Sequence, residues 1–179
     1  KRSYKKAIKI AQSKELKAIF EEYPYQTFVT SSRDFRVKVD SKKAGFSTWY
    51  EFFPRRAGES ATKHGTFKAA IKRLPHVAQM GFDVLYFPPI HPIGEKNRKG
   101  KNNATDAEPG DVGSPWAIGS KLGGHKAIHP ELGTMKDFKA LVKSAKDLGI
   151  DVALDFALQC APDHPYVKEN PQWFKWRPD

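Results

Sequence analysis

The sequence predicts an α/β fold, namely the first three strands of a (β/α)8 barrel preceded by an N-terminal helix and linker region. Three short apolar segments alternate with two segments of helical periodicity, an order that favours parallel strands joined by right-handed crossovers. Long loops follow the second and third strands, where (β/α)8 barrels place their sites. A doubly wound open sheet is the alternative, but no glycine-rich fingerprint follows any of the strands.

Each predicted element has a recognisable beginning or end. Thr66 and Thr134 can accept hydrogen bonds from the first turn of the helices that follow them. Gly81 and Gly149 end these helices, because glycine readily adopts the left-handed conformation. The strands are expected at residues 46–53, 83–87 and 152–156, and the helices at 67–79 and 135–148. Residues 157–179 are expected to form a loop.

The first 43 residues are predicted to be separate from the barrel. Apolar residues at helical spacing predict one helix over about residues 3–22, and residues 23–40 are typical of an extended linker or a pair of short strands. We therefore divide the chain into an N-terminal helical and linker segment, 1–43, and the first part of an incomplete catalytic barrel, 44–179. The chain does not begin with methionine, so we expect an excerpt of a longer protein.

Composition restricts the class of protein. Hydrophobic residues make up 39% of the chain and charged residues 28%, which is typical of a globular protein. No apolar run is long enough to span a bilayer, and the first residues lack the apolar region of a signal peptide. A single cysteine, Cys160, excludes an internal disulfide framework and favours a reducing cytoplasm. We expect a cytoplasmic protein with no membrane partner.

The net charge of +11 is concentrated in two regions, with +7 over residues 1–43 and +3 over residues 91–103. The N-terminal excess is interpreted as the wet face of an amphipathic helix, since no nucleic-acid-binding motif accompanies it. No nucleic-acid partner is therefore expected. A basic module that binds nucleic acid or another anion remains the alternative from a different functional class.

The second basic region lies in the loop after the second strand. It resembles a phosphate-binding P-loop, but five residues separate Gly94 from Gly100, and Asn102 stands where serine or threonine is required. Arg98, Lys99 and Lys101 can still meet a phosphate, because Gly100 lets backbone N–H groups approach closely.

Several polar and aromatic residues outside this loop could line a binding site or pack in the core. Asp155 lies inside an apolar strand, so its carboxylate is either paired in the core or directed at the site. Gln159 offers a donor and an acceptor that suit sugar hydroxyls. The aromatic residues that could stack on sugars are interpreted as core: Trp49, Tyr50, Tyr86 and Trp116.

Two pairs of residues have the spacing of zinc ligands, namely His125/His129 and Cys160/His164. Prolines beside them keep the members of each pair off one helical face. No metal site and no cofactor are expected, and His125 and His129 are expected to hold the loop together through hydrogen bonds.

Several motifs together resemble the α-amylase superfamily, glycoside hydrolase family 13. The general resemblance rests on IHPELGT at 128–134, Asp137-Phe138, Leu148-Gly149 and DVALD at 151–155. Further motifs resemble a bacterial subgroup of maltosyltransferases: FSTWYEFFP at 46–54, HGTF at 64–67, MGFDVLY at 80–86, PPIHPIG at 88–94, RKGKNN at 98–103, PWAIG at 115–119 and ALQCAPDHP at 157–165. Gln159 and Cys160 stand where the general superfamily has asparagine and histidine.

The resemblance implies a retaining transferase that moves maltosyl units from α-maltose 1-phosphate to the non-reducing end of α-1,4-glucans. Carried over by motif, Lys99 and Gln159 are the donor contacts, with Arg98, Asp163 and His164 as weaker candidates. The resemblance implies a supporting role for Asp155 and places the catalytic nucleophile and acid/base beyond Asp179, so a fragment ending there is expected to be inactive. A homodimer is expected for the full-length protein. An α-amylase-type hydrolase acting on α-glucans is the alternative.

Overall fold

The computed structural model describes residues 4–60 and 63–178. The chain divides into two compact units between Val39 and Asp40, and the division after residue 43 that the sequence suggests stays a prediction. None of the helices in the described ranges is long and apolar enough to cross a membrane.

The first unit contains two short helices, α1 (Tyr4–Ala11) and α2 (Lys14–Glu22), in place of the single helix expected there. The expectation of one helix is wrong because Ser13 adopts an extended conformation and accepts a hydrogen bond from Leu16 N at 3.1 Å, which starts a new helix. Residue 3 lies outside the described residues. No strand forms within residues 23–39, so the extended linker is the alternative that the structure confirms.

The second unit contains a sheet of three parallel strands in the order β1-β2-β3. The strands are β1 (Trp49–Glu51), β2 (Val84–Phe87) and β3 (Asp151–Leu154), and Leu85 is in register with Tyr50 on one side and Val152 on the other. The predicted parallel sheet is confirmed. β1 is shorter than expected at both ends; it begins only at Trp49 because Thr48 N donates to the Asp83 carboxylate at 2.8 Å instead of extending the strand.

Four helices accompany the sheet in sequence order after α3 (Lys42–Gly45): α4 (Phe67–Ile71), α5 (Leu74–Gln79), α6 (Met135–Asp147) and α7 (Pro165–Glu169). The single helix expected over 67–79 is wrong, since Pro75 has no N–H to donate to Ile71 and the helix breaks there. The α6 prediction is confirmed. α7 lies in a segment expected to be a loop, and its five residues are too few to show a periodic pattern.

The core lies where the sheet meets α4, α5 and α6. The Phe67 and Phe138 rings pack with their centroids 5.4 Å apart and join α4 to α6. The buried members of this cluster are Ala57, Phe67, Ala70, Leu74, Val77, Leu85, Phe87, Ile90, Leu132, Leu141, Ala145 and Ile150. This packing holds the carboxyl ends of the strands, and thus the loops that follow them, in a defined arrangement.

A capping box begins α6. Thr134 Oγ1 accepts from Asp137 N at 3.2 Å, and Asp137 Oδ2 accepts from Thr134 N at 2.9 Å. The hydrogen bonds from Thr134, first its side chain and then its backbone, lower the pKa of Asp137. The backbone N–H groups of Thr134 and Asp137 therefore both have a side-chain acceptor.

Replacing Thr134 by alanine is expected to lower the free energy of unfolding by about 1 kcal/mol, because the first turn of α6 loses its side-chain acceptor. Urea unfolding followed by circular dichroism measures the change. Thr105→Ala is the matched control, since the Thr105 hydroxyl is exposed and donates to the carboxylate of the neighbouring Asp106. Equal midpoints for the two variants would contradict a stabilising cap.

Candidate functional site

Two loops at the carboxyl ends of neighbouring parallel strands form the candidate site. Lys99 lies in the loop after β2, and Gln159 lies in the loop after β3. Because β2 and β3 pair in parallel, both loops leave the sheet at the same edge.

Backbone hydrogen bonds close the base of the loop after β2. Ile93 and Ile118 form an isolated antiparallel bridge. Gly94 N donates to Ala117 O at 2.8 Å, and Gly119 N donates to Pro92 O at 3.0 Å. Residues 94–117 therefore form an excursion whose two ends are joined, as a long functional loop requires.

Arg98 holds this excursion together. Its guanidinium donates to Gly94 O at 2.9 Å, Ile93 O at 3.0 Å and Asp111 O at 3.3 Å. The half-buried Arg98 side chain thus donates its hydrogen bonds to backbone carbonyls. The structure gives Arg98 a role in shaping the loop that carries Lys99.

A cleft of about 650 Å³ opens beside Lys99. Its lining residues are Phe53, Arg55, Arg56, 99–103 and 110–116. Four of these carry positive charge, namely Arg55, Arg56, Lys99 and Lys101. The one acidic member, Asp111, is only 8% exposed and accepts from Glu108 N at 2.9 Å. The cleft therefore has a net positive potential that attracts an anion.

Arg55 forms the half-buried part of this positive wall. Its Nη1 donates to Gly113 O at 3.2 Å, and its guanidinium lies 5.3 Å from the centre of the Phe53 ring. Burial and, to a smaller extent, the neighbouring charge of Arg56 lower the pKa of Arg55. Arginine nevertheless keeps its proton in proteins, so its charge is permanent.

Trp116 connects the cleft to the end of β3. Its Nε1 donates to Asp155 Oδ2 at 2.6 Å, and its ring meets Phe53 edge-on with centroids 6.0 Å apart. The hydrogen bond between Tyr86 and the Asp155 carboxylate is the main cause that raises the pKa of Tyr86. The Asp155 carboxylate is paired, but it is only partly buried and its partner Trp116 lines the cleft, so Asp155 lies at the site and not in the core. The sequence placed Trp116 in the core, whereas it lines the cleft.

The loop that carries Gln159 is anchored on both sides of this residue. Ala157 O accepts from His125 Nε2 at 2.7 Å, and Ala161 N donates to Ile118 O at 2.7 Å. Gln159 is exposed between these anchors, and it is not among the residues that line the Lys99 cleft. Its side-chain amide is free of the core and accessible to a ligand at the rim.

Two histidines, His125 and His164, form the first of these anchors. His164 is 2% exposed, and its Nδ1 accepts from Tyr166 N at 3.0 Å. His164 Nε2 lies 2.9 Å from His125 Nδ1 and 3.2 Å from the backbone nitrogen of His125, so the two residues are joined through both the ring and the backbone of His125. Burial and then the charge of His125 lower the pKa of His164. The expected hydrogen-bonding role of His125 is confirmed, and both ring nitrogens of His164 are used within the protein.

Asp163 joins the two rim loops. Its Oδ2 accepts from Glu95 N at 2.7 Å, while its buried Oδ1 has no hydrogen-bond partner among the described residues. Asp163 and His164 therefore both hold the rim loops in place, and their roles as donor contacts stay predictions.

Comparison with known proteins places the chain in a family. The sequence model of the alpha-amylase catalytic domain matches residues 14–177, so the chain belongs to the alpha-amylase family. It is 58% identical over 174 residues to the alpha-1,4-glucan:maltose-1-phosphate maltosyltransferase of Chlorobaculum tepidum, covering 97% of this chain and 26% of that protein. It is 62% identical over 151 residues to the enzyme of the same name from Methylacidiphilum infernorum, covering 84% and 23%. The chain therefore spans about a quarter of the length of these relatives.

A solved structure agrees with this assignment. A crystal structure of an alpha-amylase from Lactobacillus plantarum is 36% identical to the chain, with a TM-score of 0.59 over 74% of this chain and 28% of that one. The resemblance seen in the sequence motifs and the predicted partial (β/α)8 barrel are both confirmed.

Proposed function

We propose that this chain is part of the catalytic barrel of a retaining glycosyltransferase that moves maltosyl units from α-maltose 1-phosphate to the non-reducing end of α-1,4-glucans. The observation that carries this proposal is an identity of 52–62% to relatives named alpha-1,4-glucan:maltose-1-phosphate maltosyltransferase. The positive cleft beside Lys99 supports a donor that bears a phosphate.

Lys99 and Gln159 are the donor contacts in this proposal. The exposed Lys99 ammonium neutralises phosphate charge, and Arg55, Arg56 and Lys101 increase the positive potential around it. The Gln159 amide both donates and accepts, so it can bind neighbouring sugar hydroxyls. Arg98 and the His125–His164 pair act as positioning residues, since their side-chain nitrogens hold the two loops.

The proposed reaction is a double displacement. An aspartate attacks the anomeric carbon of the donor while inorganic phosphate leaves, and the 4-hydroxyl of a glucan then attacks the covalent intermediate. A glutamate acts first as the acid and then as the base. We place both carboxylates outside residues 1–179, so residues 1–179 alone are expected to have no activity. Asp155, held by Trp116 and Tyr86, supports the site without acting as the nucleophile.

The proposal also covers the substrates, the oligomeric state and the cellular compartment of the complete enzyme. Its partners are α-maltose 1-phosphate and an α-1,4-glucan, and it acts as a homodimer in the cytoplasm, where glucans are extended. A single cysteine is compatible with that reducing compartment.

Product analysis of the complete enzyme tests the function. With maltose 1-phosphate and a maltooligosaccharide we expect one inorganic phosphate released for each maltosyl unit added to the glucan. The second candidate, an α-amylase-type hydrolase, is favoured by the similarity to the Lactobacillus plantarum enzyme. Reducing sugar released from starch, with no growth of the glucan in the presence of maltose 1-phosphate, would establish the hydrolase instead.

A further inference from the structure

Two histidines and a glutamate meet at the rim outside the proposed donor contacts. His64 lies in the loop between β1 and α4, while His129 and Glu131 lie at the turn before α6. His64 Nε2 lies 4.0 Å from Glu131 Oε2, and the His64 and His129 rings stack with centroids 5.6 Å apart and planes 12° apart. One ligand atom from each of the three residues lies within 4.8 Å of the other two.

The state of His64 favours metal coordination. Its Nδ1 lies 2.7 Å from Gly65 O, so it carries the proton and donates it to this carbonyl. The Nε2 lone pair is then free and directed to the side of Glu131. Such a hydrogen bond, from the ring nitrogen that does not bind the metal, is typical of histidine ligands. His129 Nδ1 accepts from Glu131 N at 3.4 Å, a long and weak hydrogen bond that coordination by this imidazole would replace.

We propose that His64, His129 and Glu131 bind a divalent transition-metal ion, with zinc preferred. Two imidazoles and one carboxylate match the ligand set of three-ligand zinc sites, which leave a fourth position for solvent. Imidazole ligands favour Zn²⁺ over Mg²⁺ and Ca²⁺, which prefer oxygen ligands.

The geometry needs only a small adjustment. Zinc–ligand distances of about 2.0–2.2 Å bring tetrahedral ligand atoms to roughly 3.3–3.6 Å from one another. The Glu131 side chain is 60% exposed and can rotate to close the 4.0 Å gap to His64. The two histidines are partly buried, so they provide a more rigid half of the site.

Two positive charges oppose the ion and weaken its binding. The charges of Arg98 and Arg55 both act on His129. Arg98 donates to three backbone carbonyls and Arg55 to one, interactions that partly disperse these charges. Glu131 supplies the negative charge at the site, so removing it is expected to weaken binding as strongly as removing a histidine.

An ion at this site would join the loop after β1 to the loop after β2. His64 and His129 line a small cavity together with Arg55, Val112 and Pro115. Arg55, Val112 and Pro115 also line the Lys99 cleft. The metal would therefore brace one wall of that cleft. The inference does not depend on maltosyl transfer, because it rests on the three side chains alone.

Titration of the metal-free protein with ZnCl₂ tests the site by calorimetry and native mass spectrometry. We expect one Zn²⁺ per chain, a tetrahedral visible spectrum when Co²⁺ is added to the metal-free protein in place of Zn²⁺, and no comparable binding of Mg²⁺. His64→Gln, His129→Gln and Glu131→Gln are each expected to weaken binding by about 10-fold or more, as loss of a ligand must exceed the effect of losing an outer hydrogen bond. The matched control is His76→Gln, since His76 is an exposed histidine on α5.

Each result supports or overturns the inference. Zinc affinity that falls in the three variants and is unchanged in His76→Gln supports it. Unchanged affinity in folded His64→Gln, or zinc binding no tighter than to an isolated surface histidine, overturns it. Circular dichroism verifies folding, and His64→Gln decides the outcome if His129→Gln fails to fold, since His129 also caps the turn before α6.

Discussion

Replacing Lys99 by alanine in the complete enzyme is expected to lower kcat/KM for maltose 1-phosphate by roughly 10- to 150-fold. This range follows from the ~1.5–3 kcal/mol that a hydrogen bond to a charged group contributes. Binding of unphosphorylated maltose should change little, because the ammonium interacts with the phosphate and not with the sugar. Initial-rate kinetics with the donor and calorimetry with maltose measure the two quantities.

Two control variants, Lys99→Arg and Lys139→Ala, test whether the effect comes from the positive charge at position 99. Lys99→Arg keeps the positive charge and is expected to retain more activity than the alanine variant. Lys139→Ala removes an exposed lysine from α6, outside the cleft, and should leave both quantities unchanged. Equal losses for maltose 1-phosphate and maltose would show that Lys99 contacts the sugar or supports the loop, and would remove its role at the phosphate.

The strands and helices that carry strong local signals could be predicted from the sequence. β2 is a continuous apolar run, and α6 begins at a threonine cap with an apolar stripe, so both appear within a residue or two of the expected positions. The periodicity that α4 and α5 share predicts one helix, because it does not reveal the effect of Pro75. Local periodicity thus locates elements, while a single proline or serine decides where they break.

The site was predictable only where residues close in sequence act together. Lys99 and Lys101 occupy one loop, and the structure places both on one cleft. Trp116 and Asp155 lie 39 residues apart, and the pairing of their side chains depends on how two rim loops pack. The same holds for His64 and His129, which stack although 65 positions separate them in the chain. A sequence pattern has no period at such distances, so only the fold reveals these pairs.

The two rim loops approach each other at glycines. A side chain at Gly94 would overlap Ala161 Cβ and would lie 2.6 Å from Asp163 Oδ1. A Cβ at Gly119 would lie 2.9 Å from both Ala161 Cβ and Gly94 Cα. The loop that carries Lys99 can therefore pack on the loop that carries Gln159 only because these two positions lack a side chain.

Gly94→Ala is accordingly expected to lower the free energy of unfolding by about 1–3 kcal/mol, the usual cost of inserting an atom into a packed contact. In the complete enzyme it should also lower kcat/KM for maltose 1-phosphate, because the two donor contacts move apart. Urea unfolding and donor kinetics measure these effects. Gly45→Ala is the matched control, since nothing lies within 4 Å of the added Cβ there.

A double-mutant cycle with Ala161→Gly identifies the cause. If the methyl–methyl overlap produces the loss, Ala161→Gly should offset part of the effect of Gly94→Ala, giving a coupling energy outside the additivity error of about 0.3–0.5 kcal/mol. Strictly additive effects would mean that the overlap is not what destabilises the variant. A stability loss without a change in donor kinetics would leave the packing argument intact, yet show that the spacing of the two loops does not control donor binding.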